Sequence, residues 1–106
     1  MQPQTFVVSV VLCHEERGWA AQCLQYDIAS QGKTIPEAKA ALEKAFVSQV
    51  MVDVAHNIPA LSQVPQAPRK YWEMFEKGER LSDRKPFYIP PAYMVRATAE
   101  DTRICA

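Results

Sequence analysis

Gln31-Gly32-Lys33-Thr34-Ile35-Pro36-Glu37-Ala38 is the stretch at which strand-like patterning gives way to helical patterning. Thr34 carries the short side-chain oxygen that suits a helix N-cap. Glu37 follows three residues later, where its carboxylate can reach back to the backbone N–H of the cap. Gly32 supplies a permissive corner just before the cap. These residues predict a capping box that starts a helix, and Gly32, Thr34 and Glu37 are assigned a structural role.

A long helix is predicted from Thr34 to between Val54 and His56. Apolar residues recur at the three- and four-residue spacing that places them on one helical face. They are Ile35, Ala38, Leu42, Ala45, Phe46 and Val50. Asn57 and Pro59 then mark the stop, since proline disfavours helical geometry in the residue before it.

Three strand-like segments precede the helix: Thr5 to Cys13, Trp19 to Leu24, and Ile28 to Gln31. The first is rich in β-branched residues and is largely apolar on both faces, which is typical of a central strand. One face carries Phe6, Val8, Val10 and Leu12, and the other carries Val7, Ser9, Val11 and Cys13. The polar segment 14–18 reads as a hairpin loop.

The second half of the chain begins with a proline-rich linker, 59–68. A shorter helix is predicted from Pro68 to about Gly78, and a last strand over 92–97, with 99–106 frayed. The predicted class is α+β: a three-stranded antiparallel meander packed on one long helix, plus a shorter C-terminal helix and a fourth strand. The pairing of this last strand is left open.

Composition indicates a single domain, 1–106, with a core over 5–57 and a C-terminal extension over 66–98. Twelve basic residues balance twelve acidic ones, so overall charge gives no reason to seek nucleic acid or an anionic membrane. Leader-peptide and membrane-spanning patterns are not found. Three cysteines without paired spacing are expected to be free thiols. We therefore expect a cytoplasmic protein.

Residues suited to catalysis are scarce. His14 lies in a loop and His56 at a helix end, where a histidine interacts favourably with the helix dipole; neither has a spaced metal-binding partner. Gly32-Lys33-Thr34 resembles the end of a phosphate-binding loop, but the required upstream glycine position is Asp27. We expect no enzyme activity, no catalytic or metal site and no cofactor.

Aromatic and basic residues crowd the last third of the chain. Tyr and Trp, together with Arg, are the residues that commonly anchor protein interfaces. The candidate partner-contact residues are Arg69, Lys70, Tyr71, Trp72 and Phe75. The alternative is a nucleic-acid surface of stacking rings among cations. Interleaved acids favour a third interpretation, an amphipathic helix whose rings cover the core or a partner while its charges face water, and a protein interface is intermediate. These acids are Glu73, Glu76, Glu79 and Asp83.

Residues 5–55 resemble the HicB family of antitoxin-like proteins. The shared pattern is a hairpin whose second strand follows a Gly-aromatic pair, then a short strand ending in Gly-x-Thr, then x-x-Glu-Ala opening a helix. It is matched by Gly18, Trp19, Gly32, Thr34, Glu37 and Ala38.

This resemblance implies a β-β-β-α-β arrangement described as a partial ribonuclease H-like fold. It also implies a protein-binding module that masks a small HicA-type mRNA-cleaving toxin, in homo-oligomers of which a dimer is favoured. It does not bring nuclease activity, because a two-metal site needs carboxylates on the first strand and Phe6 to Leu12 has none. Residues 66–106 match no operator-binding domain of the kind many relatives carry.

Overall fold

A computed structural model describes residues 2–82 and 84–105, and over these the chain has the predicted α+β class. The sheet contains β1 (Gln4–Glu15), β2 (Gly18–Cys23), β3 (Ala29–Gly32), β4 (Glu79–Ser82), β5 (Lys85–Pro86) and β6 (Val95–Ile104). The helices are α1 (Ile35–Ala55) and α2 (Arg69–Lys77), with a short 3-10 helix at Pro91–Tyr93. Asp83, one of the acids interleaved with the aromatic residues, lies outside the described residues.

The sheet has the order β3-β2-β1-β6-β4, and β5 also pairs with β6. The first three strands form the predicted antiparallel meander. The last strand, whose pairing the sequence left open, lies parallel to β1 on its other side. It runs over Val95–Ile104 rather than 92–97, so the expectation that 99–106 is frayed is wrong for residues 99–104. They are ordered because both neighbours, β1 and β4, hydrogen-bond to them.

One face of the sheet, called the inner face, is covered by α1. The inner side chains of β1 are Phe6, Val8, Val10 and Leu12, and all are buried, as predicted. The predicted apolar stripe of α1 packs on them: Ala38, Leu42, Phe46 and Val50 are buried and Ile35 and Ala45 are partly buried. The core also takes in Val95, Ala97 and Ala99 of β6, well beyond the predicted 5–57 core.

The opposite, outer face carries a second and smaller apolar cluster. Val11 of β1, Leu24 and Ala67 are buried there beneath the aromatic side chains of α2. Val7, by contrast, is 57% exposed. Because both faces of β1 are apolar, a helix packs on each face of the strand, although α2 covers the outer face only in part.

The linker 56–68 carries the chain from the inner layer to the outer one. Leu61 is buried in the inner core, and Ala67 is buried in the outer cluster. Two backbone hydrogen bonds join the linker to the residues after β2: the N–H of Asp27 donates to Pro65 O (2.7 Å), and the N–H of Ala67 donates to Leu24 O (2.9 Å). The linker is therefore fastened to the corner that follows β2.

Asp53 anchors the start of this linker from within α1. Its side chain is buried, at 3% exposure, and accepts hydrogen bonds from Leu61 N (2.8 Å) and Gln49 Nε2 (3.0 Å). Its helical spacing continues the apolar stripe from Val50. A charged residue stands there because the turn after the helix needs an acceptor for its buried N–H groups.

The stretch Gln31–Ala38 forms the predicted cap with one difference. Glu37 N donates to Thr34 Oγ1 (3.2 Å), but the Glu37 carboxylate accepts from Lys33 N (2.9 Å) rather than from the N–H of Thr34. Gly32 is required by close approach, since a Cβ there would overlap the backbone N of Ala38. The corner thus brings β3 against the first turn of α1.

Replacing Asp53 by alanine is expected to lower the free energy of unfolding by about 3 kcal/mol, because the buried N–H of Leu61 loses its acceptor. Urea unfolding measures this loss. Ser48→Ala, at an exposed position of the same helix, should change the value by less than about 0.5 kcal/mol. Equal effects of the two substitutions would contradict the anchoring role of Asp53.

Gly32→Ala is expected to cost about 2 kcal/mol or more, since the added methyl group meets backbone atoms that cannot rotate away. Thermal unfolding followed by circular dichroism would show a lower midpoint. Gln31→Ala, one residue earlier and exposed, is the matched control. A Gly32→Ala variant as stable as the wild-type protein would rule out the close approach.

Candidate functional site

An open groove of about 800 Å³ lies on the outer face, beside α2. Its floor is formed by the outer side chains of β2 and β3, which the strand register places side by side: Ala20 with Gln31, and Gln22 with Ala29. One wall is the α2 side of Lys70, Tyr71 and Met74. These residues, together with Val11, Cys13 and Glu15 of β1, are called the outer-face groove.

The groove exists because α2 is short and lies over β1. Its nine residues pack against β1 and the end of β6, so within residues 2–82 and 84–105 no helix lies above the outer side chains of β2 and β3. Ala20 and Ala29 have short side chains, so this part of the floor is flat. A sheet face of this kind normally packs against another layer, so the uncovered half is suited to contact with a second molecule.

Polar side chains around the groove are held in fixed positions. Gln22 is buried and its Nε2 donates to Cys23 O (2.9 Å) and to Asp27 Oδ1 (3.0 Å). Gln31 Nε2 donates to Glu15 Oε1 (3.1 Å) across the floor. A side chain that is already held in place loses less conformational entropy when a partner binds.

The five predicted partner-contact residues do not share one surface. Lys70 and Tyr71 line the outer-face groove, with the Lys70 ammonium 5.0 Å from the centroid of the Tyr71 ring. Arg69 and Trp72 instead line a separate, shallower depression of about 410 Å³ with Gln66 and Ala67. The helix therefore divides the set between its two sides.

Phe75 has a structural position in the outer cluster. The guanidinium of Arg103 lies 4.2 Å from its ring centroid, and Arg103 Nη1 donates to the Phe75 carbonyl O (3.3 Å). Arg103 Nη2 also contacts Asp101 Oδ2 at 3.1 Å. Phe75 thus fastens the end of α2 to β6.

The neighbours Cys13 and His14 do not form a nucleophile–base pair. Successive side chains of a strand point to opposite faces, so Cys13 packs in the outer cluster while the His14 ring lies 4.8 Å from that of Trp19 on the inner side. The other histidine, His56, ends α1 and places Nδ1 2.8 Å from Val52 O. Among the described residues, no three His, Cys, Asp or Glu side chains converge as metal ligands.

The floor of the groove is what sequence reasoning missed. Ala20 and Ala29 are small and unremarkable in a sequence, and only the β2–β3 register places them together under an uncovered face. Strand alternation does carry a partial signal, because it puts Ala20 on the same side as Val11 and Cys13 once the hairpin is paired.

A comparison with protein-family models, with curated proteins and with solved structures finds no match to this chain. Neither helix of the described residues has the length and apolar character needed to cross a membrane.

The thiol of Cys23 makes unfolding sensitive to alkaline pH. Burial in the inner core raises its pKa from 9.0 to about 11. The unfolded chain releases this proton near pH 9 and the folded chain only near pH 11. This contribution to stability is therefore complete below pH 9 and is lost as the pH rises towards 11.

Urea unfolding at about pH 8 and about pH 10.5 tests this assignment. The fall in unfolding free energy between the two values should be smaller in Cys23→Ala than in the wild-type protein. The alanine variant controls for other groups that titrate in this range, since its packing loss is the same at both pH values. Identical falls in the two proteins would contradict the shift at Cys23.

Proposed function

We propose that this chain is a non-catalytic, HicB-like module that binds a protein partner. It serves either as the antitoxin of a HicA-type mRNA-cleaving toxin or as a solitary relative of such antitoxins. The observation that carries the proposal is the outer-face groove: an open sheet face flanked by α2, which lacks the enclosing walls that bury most of a small ligand.

The strand order supports the HicB-like part of the proposal. The resemblance of residues 5–55 implies a β-β-β-α-β unit. Here the meander and α1 are followed first by α2, β4, β5 and the 3-10 helix, and then by β6, which lies parallel to β1. The motif residues also contact one another. Gly18 has φ +151° and its Cα lies against the carbonyl O of Gly32, so that a Cβ at Gly18 would overlap it. The two glycines of the HicB-like pattern therefore lie against each other at the corner where β2 begins and β3 ends.

The distribution of charge favours a protein partner over nucleic acid. Arg69 lies 3.6 Å from Glu73, Arg84 lies 3.5 Å from Glu100, and Arg80 lies 3.4 Å from Asp101. Cations that already face carboxylates release fewer counterions from a phosphate backbone.

We place the module in the cytoplasm as a homo-oligomer, with a dimer favoured.

Substitution within the groove tests the proposal. Ala29→Glu puts a charged side chain on an exposed part of the floor without disturbing the core. The proposal predicts that a short basic toxin is encoded beside this chain. Ala29→Glu is expected to weaken binding to that toxin at least about tenfold, because the longer side chain prevents close contact with the floor and its carboxylate must be desolvated there. Isothermal titration calorimetry measures the affinity, and rescue of growth upon co-expression reports the masking.

The matched control is Ala40→Glu, which makes the same change at an exposed position of α1. This variant should bind and rescue as the wild-type protein does. Equal affinities of Ala29→Glu and wild type would remove the groove as the binding surface. Absence of any complex with the neighbouring toxin would overturn the antitoxin role.

The nucleic-acid alternative has its own signature. It predicts binding to single-stranded RNA that weakens as salt rises and that falls when Arg69, Lys70, Arg84 and Lys85 are changed to glutamine. We expect no such binding at low salt. A steep salt dependence abolished by the four substitutions would establish the alternative instead.

A further inference from the structure

We propose that Cys13 and Cys105 form a redox-sensitive dithiol, which closes to an intramolecular disulfide across the central parallel strand pair. Peroxides and small disulfides are the class of oxidant it would take. The inference rests on the placement of the two sulfur atoms and requires no partner, although Cys13 also lines the outer-face groove.

The strand register brings the two cysteines side by side. Leu12 is paired with Ile104 in the parallel β1–β6 ladder, so the next positions are Cys13 of β1 and Cys105, which directly follows β6. The N–H of Cys105 donates to Leu12 O at 2.8 Å, which extends the ladder to this position. Neighbouring strands lie about 4.8 Å apart, within the range of Cα separations that a disulfide spans.

Both thiols lie on the same face of the sheet. Cys13 and Cys105 pack together in the outer cluster with α2, and the neighbouring Cys105 thiol contributes to the raised pKa of Cys13. Both are half-buried, and Cys13 lines the outer-face groove, which gives small oxidants a route to the pair. Cys23 is separated from them, since it is buried among inner-face residues.

The chemistry requires one two-electron oxidant. With hydrogen peroxide, a thiolate attacks one peroxide oxygen, the O–O bond breaks, and a sulfenic acid and hydroxide form. The second sulfur then attacks the sulfenic sulfur, the S–O bond breaks, and the hydroxide leaving group takes the second thiol's proton as water. Two thiols and one peroxide thus yield one disulfide and two waters.

Burial slows the first attack on the oxidant. Burial, and then the neighbouring Cys105 thiol, raise the pKa of Cys13 to about 12. Because the thiolate is the attacking species, little Cys13 is reactive at neutral pH. Closure should therefore be slow near pH 7 and accelerate as the pH rises.

The experiment treats the full-length folded protein with hydrogen peroxide and maps the cysteines by mass spectrometry after digestion without reductant. We expect a linked peptide pair containing Cys13 and Cys105, with Cys23 remaining alkylatable as the internal control. In Cys13→Ser and in Cys105→Ser no intramolecular link should form, and dimedone should trap a sulfenic acid at whichever of the two cysteines remains.

The oxidised protein should also unfold at a higher temperature. The bridge closes a loop that includes most of the chain, and the midpoint should rise by at least about 5 °C and return upon reduction. Disulfides between molecules, oxidation of Cys23 instead, or no linked pair would overturn the proposal. A linked pair with a lowered midpoint would also overturn it, because the two sulfurs would not be preformed for the bond.

Discussion

The structure depends on the two-sided burial of β1. Hydrogen bonds to β2 and β6 use both edges of this strand, and its side chains are apolar on both faces. A strand in that position must be covered from above and below, so the chain needs two helices on opposite sides of one sheet. The linker from α1 to α2 then has to pass around an end of the sheet, and its hydrogen bonds at the corner after β2 hold it there. Asp53 is buried because this passage begins at the end of α1.

The two helices cover the two faces of the sheet to different extents. α1 is 21 residues long and buries a continuous stripe against the sheet, whereas α2 has nine residues and none of them is fully buried. Apolar burial is the main source of stability, so the inner layer contributes most of it. The uncovered outer side of β2 and β3 is the direct result of this difference in helix length.

Local patterns were sufficient to predict most of the elements. The alternation of Phe6 to Cys13 and the helical spacing from Ile35 to Val50 each reflect contacts with one neighbouring layer, and both were confirmed. The position of β6 was not predictable in this way. Its partner, β1, lies about ninety residues earlier in the chain, as in the pair Gln4 and Val95, and a parallel ladder leaves no short-range turn signal. The extra residue Glu100, which shifts the register between Val8 and Ser9, further weakens the alternation of β6.

The candidate site was predictable only in part, for the same reason. Lys70 and Tyr71 were selected by residue type and lie at the groove, but Arg69 and Trp72 face another depression and Phe75 packs on Arg103. A run of neighbouring residues on a helix points in several directions, so composition alone cannot separate its faces. The floor residues Ala20 and Ala29 carry no chemical signal, and their importance comes from what the sheet register leaves uncovered.

Because the helices cover the two faces of the sheet unequally, the residues that stabilise the fold are separate from those on the exposed part of the outer face. A change at Val8 or Phe46, both fully buried, creates a cavity that the surrounding core cannot fill. A change at Ala29 or Lys70 alters only an exposed surface, where most substitutions change stability little. The inner layer therefore fixes the scaffold, and the groove can vary in shape and charge without loss of the fold. A binding surface that must match one partner benefits from this arrangement, because specificity can be adjusted at positions on which stability does not depend.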